Sequence, residues 1–240
     1  MGKKNLDKMK HSLVEYLNQG GFPETTSVVD ATDRVRILQD YVDVVIFRDI
    51  IERYKVSNVV LVKYLLQLLI KNPGTLFSVN KIFNDLKSQG FNVSKNTLYE
   101  YLNYFEDAYL IFSVPLYSKS VRKTQTNPRK IYVIDSGLSN AYSLKFDRDF
   151  GHLFENLIYL DLCREEHEIY YYLTNSRNEV DFLTKDLSGK MHLYQVVWNI
   201  DDNATMMREN RALKEATDEL KITGELITPE TYLKNNFQQN

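Results

Sequence analysis

The sequence predicts a mixed α/β protein, α+β overall, with helices first and a compact helix-and-strand domain last. Three observations predict it. Val35, Leu38, Val42, Val45, Ile46 and Ile50 recur at helical spacing. Ser78 and Ser94 stand where a helix would need a cap. Beyond about residue 140, short aromatic and β-branched runs alternate with helical ones, as in a three-layer α/β domain.

In order along the chain, Asn5 to Asn18 reads as an amphipathic helix stopped by Gly20-Gly21-Phe22-Pro23. A long helix is expected from about Ser27 to Tyr54, its charges alternating in sign on one face. Ser57 is placed to cap the next helix, which runs to Lys71 and stops at Asn72-Pro73-Gly74. Ser78 caps a helix through Lys87, Gln89 to Val93 turns, and Ser94 caps a helix from Lys95 to Phe105. Two apolar runs follow, Tyr109 to Tyr117 and Lys130 to Ile134, joined by a polar loop. Helix, helix, turn, helix and two strands is the order of a winged helix. A loop-rich boundary is expected from Asp135 to Asp149. After it come a helix (Gly151 to Glu165), strands (Ile169 to Leu173, Val180 to Thr184, Met191 to Trp198), a helix (Asn203 to Leu220) and a strand (Glu225 to Ile227). The expected division is a helical segment over 1–70, a winged helix over 71–140 and an α/β domain over 141–240, with a frayed tail from Lys234 to Asn240.

Composition excludes several classes. A net charge of −2 supplies no global field toward nucleic acid or membrane, so any such affinity must be local. Cys163 is the single cysteine, which rules out a disulfide and a cysteine-built zinc site and fits a reducing, cytoplasmic location. The apolar stretch from Val59 to Ile70 is broken by Lys63 and Gln67, so no membrane span is expected.

Two constellations carry chemistry. Glu155 on a helix, Asp181 within Glu179-Val180-Asp181-Phe182, and Gln195 on the next strand outline a Mg²⁺-dependent nuclease core, with Asp181 and Glu155 as the metal ligands. In such a core the last strand carries an acid and a lysine, and here Gln195 and Val197 hold those places. The amide ligates without charge, and nothing obvious polarises the attacking water. Alternation along Val180-Asp181-Phe182 sends Asp181 to the face opposite its neighbours. The plainer reading makes Glu179 and Asp181 strand-edge charges, Glu155 a buried carboxylate paired with Arg, and Arg208, Glu209 and Arg211 a solvated or salt-bridged helix face. The second constellation is cationic. Residues 108 to 134 contain no Asp or Glu, while Lys119, Arg122, Lys123, Arg129 and Lys130 crowd the loop and its flanks. Lys95, Asn96, Tyr99 and Asn103 fall on the helix before it. That is a DNA contact surface in outline, or a wing that docks on protein.

The chain also resembles a known family. The residues that carry the resemblance are Gly20-Gly21-Phe22-Pro23, Tyr41-Val42-Asp43 leading to Arg48-Asp49-Ile50, and Ser94-Lys95-Asn96-Thr97-Leu98. Tyr132-Val133-Ile134-Asp135-Ser136-Gly137-Leu138, Glu155-Asn156, Glu179-Val180-Asp181-Phe182, Gln195-Val196 and the stretch from Arg208 to Leu213 complete them. Together they resemble the C-terminal region of prokaryotic AAA-type ATPases, a region of uncharacterised function. The resemblance implies a winged helix, a restriction-endonuclease-like PD-(D/E)xK domain, and a P-loop ATPase module as partner in the same or another chain. No G-x-x-x-x-G-K-[ST] occurs, so the chain alone is not expected to hydrolyse ATP. The readings that stand are a DNA-binding or regulatory part with an inactive nuclease-like domain, a Mg²⁺-dependent nuclease, and an interaction module without DNA contact.

Overall fold

A computed structural model describes residues 3–143, 149–165 and 167–237. Helix α1 (Lys3–Gln19) ends where Gly20 takes a left-handed φ of +79°, as a helix-terminating glycine does. Pro23 starts the short α2 (Pro23–Thr26). The long helix expected from Ser27 starts later, as α3 (Ala31–Val45), because the Asp30 carboxylate accepts the Thr32 and Asp33 amides at 2.7 and 3.0 Å. It continues as a π-helical run, Ile46–Glu52, that periodicity alone does not reveal. Asn58, not Ser57, caps α4 (Val59–Ile70), accepting the Leu61 amide at 3.1 Å. Six residues of α4 are buried, so it is the central helix of its core.

Strand β1 (Thr75–Phe77), α5 (Val79–Ser88) and α6 (Lys95–Asp107) follow, the two helices capped by Ser78 and Ser94 as the sequence indicates. Then come β2 (Ile111–Val114), a short α7 (Val121–Thr126) inside the expected loop, and β3 (Arg129–Val133). Val114 and Val133 both lie in strands. The expected loop after Ile134 begins instead with α8 (Ser136–Tyr142), capped by Asp135, while its residues 144–148 fall outside those described. The rest is α9 (Phe150–Arg164), β4 (Glu168–Leu173), β5 (Glu179–Lys185), β6 (Met191–Val196), α10 (Asn203–Leu220), β7 (Gly224–Ile227) and α11 (Pro229–Phe237). The tail from Lys234 therefore begins as helix, and 238–240 lie outside the described residues.

The chain divides into two units. The helical unit comprises residues 19–113 and 127–146; the sheet unit comprises 1–18, 114–126 and 147–240. In the helical unit the strand order is β1-β3-β2, with Thr75 opposite Ile131 and Phe77 opposite Arg129, antiparallel. Leu61, Leu65, Leu98, Phe105 and Ile131 share its core with Leu38, Val42 and Ile50. One clamp ties its two distant glycine motifs. Asp135 accepts the Gly21 amide on Oδ2 and the Gly137 amide on Oδ1, both at 2.7 Å. A Cβ on Gly137 would meet the Gln19 carbonyl oxygen at 2.5 Å, so the close approach requires glycine there.

In the sheet unit the order is β4-β5-β6-β7, antiparallel except for the parallel β6–β7 pair that α10 connects. Phe182 packs a ring on Tyr159 of α9, while Leu183 joins Ala212, Leu213 and Ala216 of α10. Adjacent strand residues face opposite sides, so the sheet lies between α9 and α10 in three layers. Lys10 and Glu230 pair at 2.6 Å, tying α1 to α11. Gly224 sits under α10: a Cβ would lie 2.7 Å from Leu213 Cδ1 and 2.9 Å from Thr217 Cγ2. Gly224→Ala is expected to cost about 1–3 kcal/mol through overpacking, measured as a lower midpoint in urea.

Candidate functional site

The site grows from an irregularity in β5. Tyr170 pairs with Leu183 but Tyr172 with Val180, so three steps of β5 face two of β4. A β-bulge therefore sits at Asp181-Phe182. It corrects the simple alternation: Val180 and Leu183 both pack in the α10 cluster, and Asp181 is buried between them. The Asp181 carboxylate accepts the Val196 amide at 2.9 Å, and the Asp181 amide lies 3.3 Å from Gln195 Oε1. Gln195 thus folds over the bulge. Its Nε2 donates to Glu209 Oε2 on α10 at 2.6 Å.

Arg208 completes the cluster, donating from Nε to Glu209 Oε1 at 2.9 Å. The Glu209 hydrogen bond and charge, aided by Asp181 and Asp202, raise the Arg208 pKa above the ordinary guanidinium value. Arg208 and Glu209 were expected on a solvated or salt-bridged face, and they do form an ion pair. Glu209 is buried instead, and its partner Gln195 is the residue standing where an acid was expected. Only the helical phase of Glu209 with Ala212, Leu213 and Ala216 hinted at that in the sequence.

Glu155 is buried on α9, with His152 Nδ1 3.9 Å from its Oε2. Val197 is 2% exposed and its amide donates to the Ile227 carbonyl, so a lysine at that position would be buried. Among the described residues no group of three or more His, Cys, Asp or Glu side chains is placed to hold a metal ion. The oxygens of Glu209 are engaged by Gln195 and Arg208, and one of Asp181 by Val196. This donor set, as arranged, does not suit Mg²⁺, which needs several oxygens left for it.

The cationic constellation is divided between the units. Lys95 and Asn96 are exposed at the start of α6, in the helical unit, with Tyr99 and Asn103 further along it. Lys95 Nζ lies 5.3 Å from the Phe83 ring centre. Arg129 is exposed on β3 and donates to Ser113 Oγ at 3.0 Å. Lys130 does not belong with them: at 1% exposure it is buried, on the face of β3 opposite the core residue Ile131. Lys119, Arg122 and Lys123 are exposed, but they lie in the sheet unit.

Fold and site together define an α+β protein with a helix-rich unit, a three-layer sheet unit and a buried Asp–Gln–Glu network met by an exposed Arg. The chain belongs to the family described as a domain of unknown function, DUF8612, whose model matches residues 10–149. A second domain of unknown function, DUF4143, matches residues 150–234. The uncharacterized protein MJ1544 of Methanocaldococcus jannaschii is 35% identical over 238 residues, covering 96% of this chain and 52% of that protein. An uncharacterized protein of Haemophilus influenzae is 26% identical over 212 residues, covering 88% of this chain and 52% of its own length. The chain spans about half the length of these curated relatives. No solved structure matches it significantly. Among the described residues, no helix is long and apolar enough to cross a membrane.

Proposed function

We propose that the chain is the DNA-binding, regulatory part of a prokaryotic AAA-type ATPase, its sheet unit a nuclease-like scaffold that does not cut. The observation that carries this reading is the closed network at Asp181. The one strand amide where an acid would stand is bonded to Glu209, and Glu209 is neutralised by Arg208. A site built to hold a cation would leave those oxygens open. The order helix, strand, helix, helix, strand, short helix, strand over residues 59–133 supports a winged helix, with Lys95, Asn96, Tyr99 and Asn103 exposed on its third helix. The greater length of the relatives leaves room for a separate ATPase module.

One observation favours a second reading, a Mg²⁺-dependent nuclease: Glu209 brings a carboxylate from α10 to the strand position that lacks one. The α6 face gives the first test. Lys95→Ala with Asn96→Ala should weaken duplex binding and flatten its salt dependence, by about 0.9 in log–log slope for each phosphate left unneutralised. Unchanged affinity and slope in this double variant would remove α6 from the interface.

A further inference from the structure

A cleft of about 430 Å³ opens on the helical unit, within the size range that holds small ligands. Its lining is mostly apolar. Phe22 and Tyr41 pair there with ring centres 5.7 Å apart, and Val44 of α3 adds an aliphatic surface that is 56% exposed. Two features of the cleft serve neither the DNA reading nor the network at Asp181. The π-helical run Ile46–Glu52 brings Arg48 to the lining, and π-helical turns recur at functional sites. Tyr109, also in the lining, holds a left-handed φ of +56° just past α6. Its amide donates to the Glu106 carbonyl, and the Leu110 amide to the Phe105 carbonyl. That pair of bonds ends a helix around a position that favours glycine. A tyrosine there is strained. Its ring meets Phe112 edge-on, 6.4 Å between centres, yet stays 68% exposed, so packing offsets little of the strain.

Charge selects the ligand. Arg48 is engaged by Asp49, Nε to Oδ1 at 2.8 Å and Nη2 to Oδ2 at 2.9 Å, so its charge is met within the chain. Glu24 lines the cleft as an exposed carboxylate. It lies close to Tyr41: burial first, then the Glu24 charge, raises the Tyr41 hydroxyl above its ordinary pKa. A carboxylate beside aromatic faces attracts a cation, and the apolar walls favour one with an apolar body. We infer that this cleft binds a small organic ammonium, its body against Phe22, Tyr41 and Val44 and its charge toward Glu24, with the Tyr109 ring as part of the wall. The inference stands apart from the DNA reading, since every residue it uses lies in the helical unit and outside the α6 face. It also gives the tyrosine at a glycine-favouring position a use: a ring presented to a ligand.

The test titrates the full chain with phenethylamine, 2-phenylethanol and phenylacetate, probes of similar size that differ in charge. Backbone amide shifts of Val44, Val45, Tyr109 and Leu110 report occupancy of the cleft. Phenethylamine should bind about threefold to tenfold more tightly than the alcohol, and phenylacetate most weakly. Glu24→Gln should bring the amine down to the level of the alcohol with the urea midpoint unchanged. Tyr109→Gly should weaken the amine by about threefold or more, while the urea midpoint holds or rises because glycine relieves the left-handed strain. A purely structural Tyr109 would give the reverse, a lower midpoint with wild-type affinity, and that result overturns the inference. Equal binding of amine and alcohol, preference for phenylacetate, or no shift at these amides with phenethylamine also overturns it.

Discussion

Asp135→Ala should destabilise the helical unit by about 3 kcal/mol or more, the largest single effect expected in this chain. The carboxylate is 6% exposed and joins segments 114 residues apart through the Gly21 amide, while also capping α8 through the Gly137 amide. Truncation strands the buried Gly137 donor and takes the charged acceptor from the part-buried Gly21 amide. Asp135→Asn keeps one acceptor but turns an N–H₂ toward one of the two amides, so it should fall between wild type and alanine. Gly20→Ala should imitate the alanine variant from the other side, since its Cβ would lie 2.8 Å from the Asp135 carboxyl carbon at a φ of +79°. Urea midpoints, with amide exchange in α8, would measure all three. The clamp also has a pH signature. Burial raises the Asp135 carboxyl above its ordinary value of 3.8, against the pull of the Gly21, Gly137 and Leu138 amides. The folded chain therefore takes up this proton at a higher pH than the unfolded chain. That contribution to stability is full below 3.8 and is lost as pH rises through the folded value. The stability of wild type relative to Asp135→Asn should decline across that window. An Asp135→Ala variant with an unchanged urea midpoint would show that the two glycine motifs hold together without the carboxylate.

The second large effect is at Glu209. Glu209→Ala removes the acceptor of Gln195 Nε2 and of Arg208 together, leaving a buried amide donor without its bond. A loss of about 2–4 kcal/mol is expected, because an orphaned buried donor costs more than the net value of the bond. Pairing Gln195→Leu with Glu209→Met removes both ends and fills the space with apolar atoms. This pair should recover much of the loss, so a thermodynamic cycle should show strong coupling between positions 195 and 209. If the two losses simply add, Gln195 and Glu209 are not one network.

Much of the fold is legible because local chemistry writes it. Ser78 and Ser94 announce α5 and α6 within a residue, and the apolar run from Leu153 to Leu162 marks α9. Order along the last part of the chain, helix, three strands, helix, strand, follows from the periods of its apolar residues. What escapes is set by tertiary packing. Lys130 looks like one more cation of a basic loop, and only the folded chain around β3 buries it. Glu209 looks like a surface charge, solvated or paired with its neighbouring arginines, until α10 settles on β6 and buries it against Gln195. The bulge at Asp181 and the addition of residues 115–117 to β4 depend on pairing between distant segments, which no single stretch encodes. At the candidate site the sequence therefore points to Asp181 and Gln195 but not to the helix residues that bind them.

The most direct measurement incubates the full chain with labelled duplex DNA and supercoiled plasmid, with and without Mg²⁺, recording binding across a salt series and cleavage in the same samples. The account predicts binding that weakens as salt rises, and DNA left intact with Mg²⁺ present. Mg²⁺-dependent cleavage that disappears in Asp181→Ala would contradict it, and would make the Asp181–Glu209 network a working nuclease centre.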